Sequence, residues 1–144
     1  NTVLLDGDVI RKYFSMEQEL DYTYEGRKRN AQRIHQLSLL LDNQKINVIC
    51  AIQLIFNDIR TLNKKVFTIY KEIHITCSSK TLKKRDTKKL YKLFDLNKKK
   101  NIVGIDIPYP KPSSFDYEIN SDESIEITLS KVDKIFYDLI PKLY

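Results

Sequence analysis

At 144 residues, with a 42% apolar share and 31% charged residues, the chain has the size of one ordinary domain, with enough apolar side chains for a real core and a surface suited to water. No apolar run approaches the roughly 20 residues of a membrane-crossing helix, and the opening run meets Asp6 and Asp8 at once, which is not the pattern of a signal peptide. A cytoplasmic protein with net charge +6 is expected, and its positive charge is concentrated: Lys80 to Lys100 holds ten Lys or Arg against only Asp86 and Asp95.

In chain order, Thr2-Val3-Leu4-Leu5 reads as a buried strand that stops at the Asp6-Gly7-Asp8 turn. Asn1 would already lie inside that strand, so a further N-terminal piece is expected upstream. Val9 to Phe14 suits a short helix. Glu25 to Asn43 places Ala31, Ile34, Leu37, Leu40 and Leu41 at helical spacing. Ile46 to Ile52 is an apolar, β-branched strand that should be buried. Asn57 to Phe67 is helical, with Asn57 or Asp58 as N-cap. Glu72 to Cys77 is a third strand, and Ser78-Ser79 caps a helical turn. Lys84 to Leu96 is a very basic helix, Gly104 to Pro112 a loop, Tyr117 to Asn120 a last short strand, and Ser124 to Leu139 a closing helix. Apolar strands alternating with helices predict an α/β fold, a three-layer arrangement of a mostly parallel sheet with helices on both faces, in one domain over residues 1–144. Asp6, Asp8, Gln53 and the loop after Cys77 would share the rim where such sheets bind ligands. Cys50 and Cys77 read as buried free thiols, and no Cys or His spacing suggests a metal. His35 and His74 read as structural or surface residues.

Four segments could carry chemistry. In Asp6-Gly7-Asp8-x-x-Arg11, one carboxylate could hold Mg²⁺ directly or through water. The other could take a proton from a hydroxyl nucleophile, and Arg11 could fork onto a phosphate. The plain alternative is a turn with helix-capping aspartates. Arg27-x-x-Asn30-x-x-Arg33 puts three polar groups on one helix face, either to clamp an anionic nucleotide or simply to meet water. Lys84-Arg85-Asp86-x-Lys88-x-Leu90-Tyr91-Lys92 suits a lid over phosphates, or a solvated surface. In Ile102-Val103-Gly104-Ile105-Asp106-Ile107-Pro108-Tyr109-x-x-Pro112, the glycine permits a sharp turn or a close backbone approach. Only Tyr91 and Phe94 are interleaved with the cations of the basic segment, which speaks against a nucleic-acid reader.

The order of these segments resembles the adenylylsulfate kinase family, from Leu4 to about Asn120. Arg85–Lys92 and Gly104–Pro112 are its most specific parts. The resemblance implies a P-loop nucleoside-triphosphate-binding fold and ATP-dependent phosphorylation of a nucleotide 3′-hydroxyl, with ATP and Mg²⁺. Asp8 would act near that hydroxyl or the metal, with Asp6 in support. Arg11, Arg27 and Asn30 would bind the acceptor nucleotide, and Arg85, Asp86 and Lys88 would belong to the lid. Family members are commonly dimers, so a homodimer is carried over as an expectation.

Three departures stand out. The family's glycine-rich loop ending Gly-Lys-Ser/Thr is missing, since the chain has only Gly7, Gly26 and Gly104. With it would go a strand, normally central to the sheet, and a helix. Where the family stacks the acceptor purine between two phenylalanines, this chain has Tyr22 and Ile102. Where it has Ser-Pro, this chain has Leu54-Ile55. The last two changes suggest a branch with a smaller base as acceptor, such as the cytidine diphosphoramidate kinases of capsule phosphoramidate biosynthesis in bacteria. True adenylylsulfate kinase is the alternative. A reading of another class is a basic module that binds RNA or anionic sugars without catalysis; a third is a structural remnant of a larger polypeptide.

Overall fold

The computed structural model describes residues 1–15, 21–86 and 89–142. They fall into two compact units, residues 1–70 and 71–142.

In the first unit, β1 (Thr2–Asp6) pairs in parallel with β2 (Asn47–Ala51), with Leu5 opposite Cys50 and Asp6 opposite Ala51. A parallel pair needs a crossover, supplied by α1 (Gly7–Phe14) and α2 (Tyr24–Asn43). Thr23 caps α2 by accepting the Gly26 N–H at 3.1 Å. The buried face of α2 is Gly26, Asn30, Ala31, Ile34, His35 and Ser38. Of the expected apolar set, Ala31 and Ile34 are buried, whereas Leu40 is exposed. The helix is thus turned so that polar side chains enter the interior. Each then finds a specific contact, as buried polar groups must: His35 Nδ1 lies 2.7 Å from Asn63 Oδ1, and Ser38 Oγ lies 3.3 Å from Cys50 Sγ. Asn63 belongs to α3 (Asn57–Val66), whose N-cap position is Phe56, with no side-chain cap bond. Neither Asn57 nor Asp58 takes the expected capping role, because the helix begins one residue too early for them. Leu5, Ala31, Ile34, Ile55, Phe56 and Ile59 make the apolar core of this unit.

In the second unit, β3 (Ile73–Thr76) pairs in parallel with β4 (Tyr117–Asn120). The expected helix from Lys84 to Leu96 is divided. α4 (Ser79–Lys84) ends at Arg85, and α5 (Leu90–Asp95) starts only after Lys89, which sits in the left-handed region at φ 53°. α6 (Ile125–Leu139) starts one residue later than expected, because Ser124 is its cap, and it is pinned by a hydrogen bond from Tyr117 Oη to Asp138. Buried His74 packs among rings, with the Phe115 centroid 5.1 Å away and Tyr109 parallel at 6.3 Å.

The class is therefore α/β with parallel strands, hydrogen-bonded among the described residues as two pairs. The strands are less buried than their apolar sequences suggest. Leu4, Ile49, Ile73 and Ile75 are exposed, and Cys50 is exposed rather than buried; both cysteines are free thiols. A two-stranded pair has too few neighbours to cover both of its faces. No helix among the described residues is long and apolar enough to cross a membrane.

Candidate active site

β1 delivers Asp6 to its carboxyl end, and α1 starts at the next residue. Asp6 Oδ1 accepts the N–H groups of Asp8 at 2.9 Å and Val9 at 3.0 Å, so this carboxylate is the helix cap. Asp8 stands exposed in the first turn of α1. Between them the backbone runs close to the exit of β2: a Cβ on Gly7 would lie 3.0 Å from Ile52 Cγ2. Here glycine answers to close approach rather than to an unusual dihedral angle.

Asn30 reaches this turn from α2. Its Nδ2 donates to the Gly7 carbonyl at 2.9 Å, and the residue is only 3% exposed. Arg11, on α1, is also buried. Its Nη1 donates to the carbonyls of Asp21 at 2.5 Å and Gly26 at 3.4 Å, and its guanidinium lies 4.6 Å from the centre of the Tyr22 ring. Arg27 donates from Nε to the Tyr22 carbonyl at 3.0 Å and lies 5.6 Å from the same ring. Two guanidiniums thus hold one aromatic ring, a contact of about 0.5–2 kcal/mol each. Arg33 turns away to the ring of Phe14, at 5.5 Å. The polar ridge read from the sequence is therefore shared between two aromatic neighbours.

Two buried atoms in this cluster have no hydrogen-bond partner: Arg11 Nε, a donor, and Asn30 Oδ1, an acceptor. Leaving such a group unpaired costs about 1–3 kcal/mol, and native interiors seldom keep one without a use.

Asp21 organises the cluster but was not singled out in the sequence. Its Oδ1 accepts the Thr23 N–H at 2.9 Å and the Thr23 hydroxyl at 2.6 Å, and its other oxygen pairs with Arg29. The bonds from Thr23, with the charges of Arg29 and Arg11, hold its carboxyl below the ordinary carboxylate value. The Asp-x-Thr spacing ahead of a helix was the available signal, since such side chains bond to backbone two residues on.

The second unit holds the remaining candidates. Arg85 is exposed at the end of α4. Asp86 accepts the N–H groups of Leu90 at 2.7 Å and Tyr91 at 3.0 Å, so its carboxylate starts α5. Ile102 is buried, and its N–H donates to Asp106 Oδ1 at 2.5 Å. Gly104 takes φ +87°, the left-handed geometry that glycine tolerates, within a turn closed by its N–H on the Ile107 carbonyl at 2.8 Å. Lys88 lies outside the described residues. No three His, Cys, Asp or Glu side chains converge as a metal cage among the described residues. A Mg²⁺ carried by nucleotide phosphates needs only one or two carboxylates from the protein.

The family model for adenylylsulphate kinase matches residues 1–120. The chain belongs to the adenylylsulphate kinase family. Its relatives within this kinase family include the cytidine diphosphoramidate kinase of Campylobacter jejuni, 33% identical over 139 residues, covering 92% of this chain and 79% of that protein. The adenylyl-sulfate kinase of Halothermothrix orenii is 28% identical over 129 residues, covering 89% of this chain and 69% of the relative. Among solved structures, the Mycobacterium tuberculosis APS kinase CysC in complex with AMPPNP and APS matches with a TM-score of 0.77 at 23% identity, over 93% of this chain and 79% of that one. That likeness is one of fold, and the fold is the P-loop kinase fold expected from the motifs.

Proposed function

We propose that this member of the adenylylsulphate kinase family contributes to ATP-dependent phosphorylation of the 3′-hydroxyl of a nucleotide, with cytidine diphosphoramidate as the acceptor. The observation that carries the reading is the Arg11–Tyr22–Arg27–Asn30 cluster. It places cations, an aromatic ring and two unpartnered buried polar atoms beside the turn that bears Asp8. An anionic nucleotide offers an acceptor for Arg11 Nε and a donor for Asn30 Oδ1, the two atoms of the cluster that have no hydrogen-bond partner.

Catalysis of this type is mainly positioning and charge neutralisation. Asp8, exposed and on a rigid helix start, takes the proton of the acceptor hydroxyl. Asp6 holds the geometry of that start. Arg11, Arg27 and Asn30 bind and orient the acceptor, with Tyr22 under the base. Arg85, Asp86 and Lys88 are the residues that the family resemblance gives to a phosphate-binding lid. ATP would supply the phosphoryl group, and a carboxylate at the start of α1 could hold its Mg²⁺ directly or through water.

The pyrimidine acceptor is supported by the Campylobacter jejuni relative and by Ile102, which offers no ring for stacking a purine. Adenylylsulfate is the second reading, supported by the family model and the Halothermothrix orenii relative. Assaying both acceptors at equal concentration decides between them. Faster phosphorylation of cytidine diphosphoramidate is expected; a preference for adenylylsulfate reverses the assignment.

We further infer that residues 1–144 act as part of a kinase domain whose strand, phosphate loop and helix are supplied from outside them. The three glycines of the chain make no Gly-Lys-Ser/Thr loop, and backbone amides of such a loop are what cradle the phosphates. The exposed apolar side chains of β2 and β3 fit strands that expect a further neighbour. These 144 residues alone should not turn over ATP, and normal turnover by them would refute the inference.

A further inference from the structure

The basic segment is attached to its sheet by an anion that the family motifs do not include. α4, which opens the segment, has six residues and buries none of them. A helix that short has no stability of its own in water. Its hold on the sheet begins at Ser78, the cap residue, whose Oγ accepts the Thr81 N–H at 3.3 Å.

Ser78 is itself held from the far side of the strand pair. Where β3 and β4 end, Ser121 donates to the Thr76 carbonyl twice, from its backbone N at 2.8 Å and from Oγ at 3.0 Å. The backbone N of Asp122 donates to Asn120 Oδ1 at 3.0 Å. The Asp122 carboxylate then reaches across. Oδ2 accepts the Ser78 N–H at 2.8 Å, and Oδ1 accepts the Ser78 hydroxyl at 2.9 Å and the Cys77 thiol at 3.5 Å. Hydrogen bonds from Thr81, Ser78 and Cys77 hold its carboxyl below the ordinary value, so the anion persists at neutral pH. Charge-assisted bonds of this kind are about twice as strong as neutral ones. Asp122 is exposed and packs into no core; donors from the start of the basic segment converge on it.

We propose that Asp122 is the positioning residue of the basic segment: by holding Ser78 it fixes the first turn of α4 and so presents Lys80, Lys83, Lys84 and Arg85 together to a polyphosphate. The role rests on the kinase reading for the ligand, but not for the latch. Asp122 touches no reacting atom in this scheme. It acts through Ser78.

The test uses the 144-residue chain, with inorganic tripolyphosphate as the probe, and compares Asp122→Asn, Asp122→Glu and the unsubstituted protein. Amide exchange at Ser78 and Thr81 should accelerate about tenfold in Asp122→Asn, while Ile75 and Ile119 in the strands keep their protection. Tripolyphosphate affinity, followed through the amide signals of α4, should fall several-fold in Asp122→Asn and recover in large part in Asp122→Glu, which restores the anion. Unchanged exchange at Ser78 and Thr81 overturns the latch. Faster exchange with undiminished tripolyphosphate affinity overturns the positioning role. If the unsubstituted chain shows no tripolyphosphate response in α4, the phosphate reading of the segment fails, and the exchange data still decide whether the latch exists.

Discussion

Asn30 donates from Nδ2 to the carbonyl oxygen of Gly7 at 2.9 Å, joining α2 to the turn that carries Asp8 across 23 residues of sequence. Because Asn30 is almost wholly buried, this bond is shielded from water and fixes the α1 start relative to the arginines of α2. Asn30→Ala should lower stability by about 0.5–1.5 kcal/mol, the net contribution of one hydrogen bond. Denaturant unfolding measures it. A loss below about 0.5 kcal/mol would show that the bond contributes little.

Asp8 is exposed, so Asp8→Asn should leave stability within about 0.5 kcal/mol. Acceptor affinity, read by calorimetry, should also be nearly unchanged. In a polypeptide that includes the phosphate loop, turnover should fall by about a hundredfold or more, as expected on losing a general base. Undiminished turnover removes Asp8 from that role.

Tyr22 is held by the guanidiniums of Arg11 and Arg27. Tyr22→Phe keeps the ring and should bind the acceptor nearly as well. Tyr22→Ala should weaken binding by about 1–3 kcal/mol, the range for one stacked base. Equal affinity for both variants would mean that no base rests on this ring.

Gly26 lies in the first turn of α2, where alanine would ordinarily gain about 1 kcal/mol. Here a Cβ would collide with the carboxyl group of Asp21, which Thr23 and Arg29 pin in place. Gly26→Ala should therefore destabilise the protein, yet stabilise it when Asp21→Ala is also present. A double-mutant cycle in thermal unfolding reads the reversal, and additive effects would exclude the collision.

Asp21 also gives a pH dependence. Its carboxyl is held below 3.8 in the folded protein by the Thr23 bonds, then by Arg29 and Arg11. Its contribution is therefore complete above the ordinary carboxylate range and is lost as pH falls through the lowered value. Acid unfolding of Asp21→Asn should show a shallower slope below about pH 4 than the unsubstituted chain. Coincident slopes would rule out this carboxyl as a contributor.

The sequence by itself determined the elements and their order. Alternating strand and helix patterns, the Ser78 cap and the parallel class of the strands all follow from local spacing, because helix and strand periods are properties of short segments. The order of the motifs was enough to reach the adenylylsulphate kinase family. Tertiary structure decided how individual polar groups are used. Asp6 and Asp86 serve as helix caps, Arg11 is buried against backbone carbonyls, and Arg33 turns to Phe14, because a side chain's partner depends on which backbone atoms the fold brings within about 3 Å. The break between α4 and α5, the turned face of α2 and the Asp122 latch likewise depend on contacts between residues far apart in the chain, which no local pattern encodes.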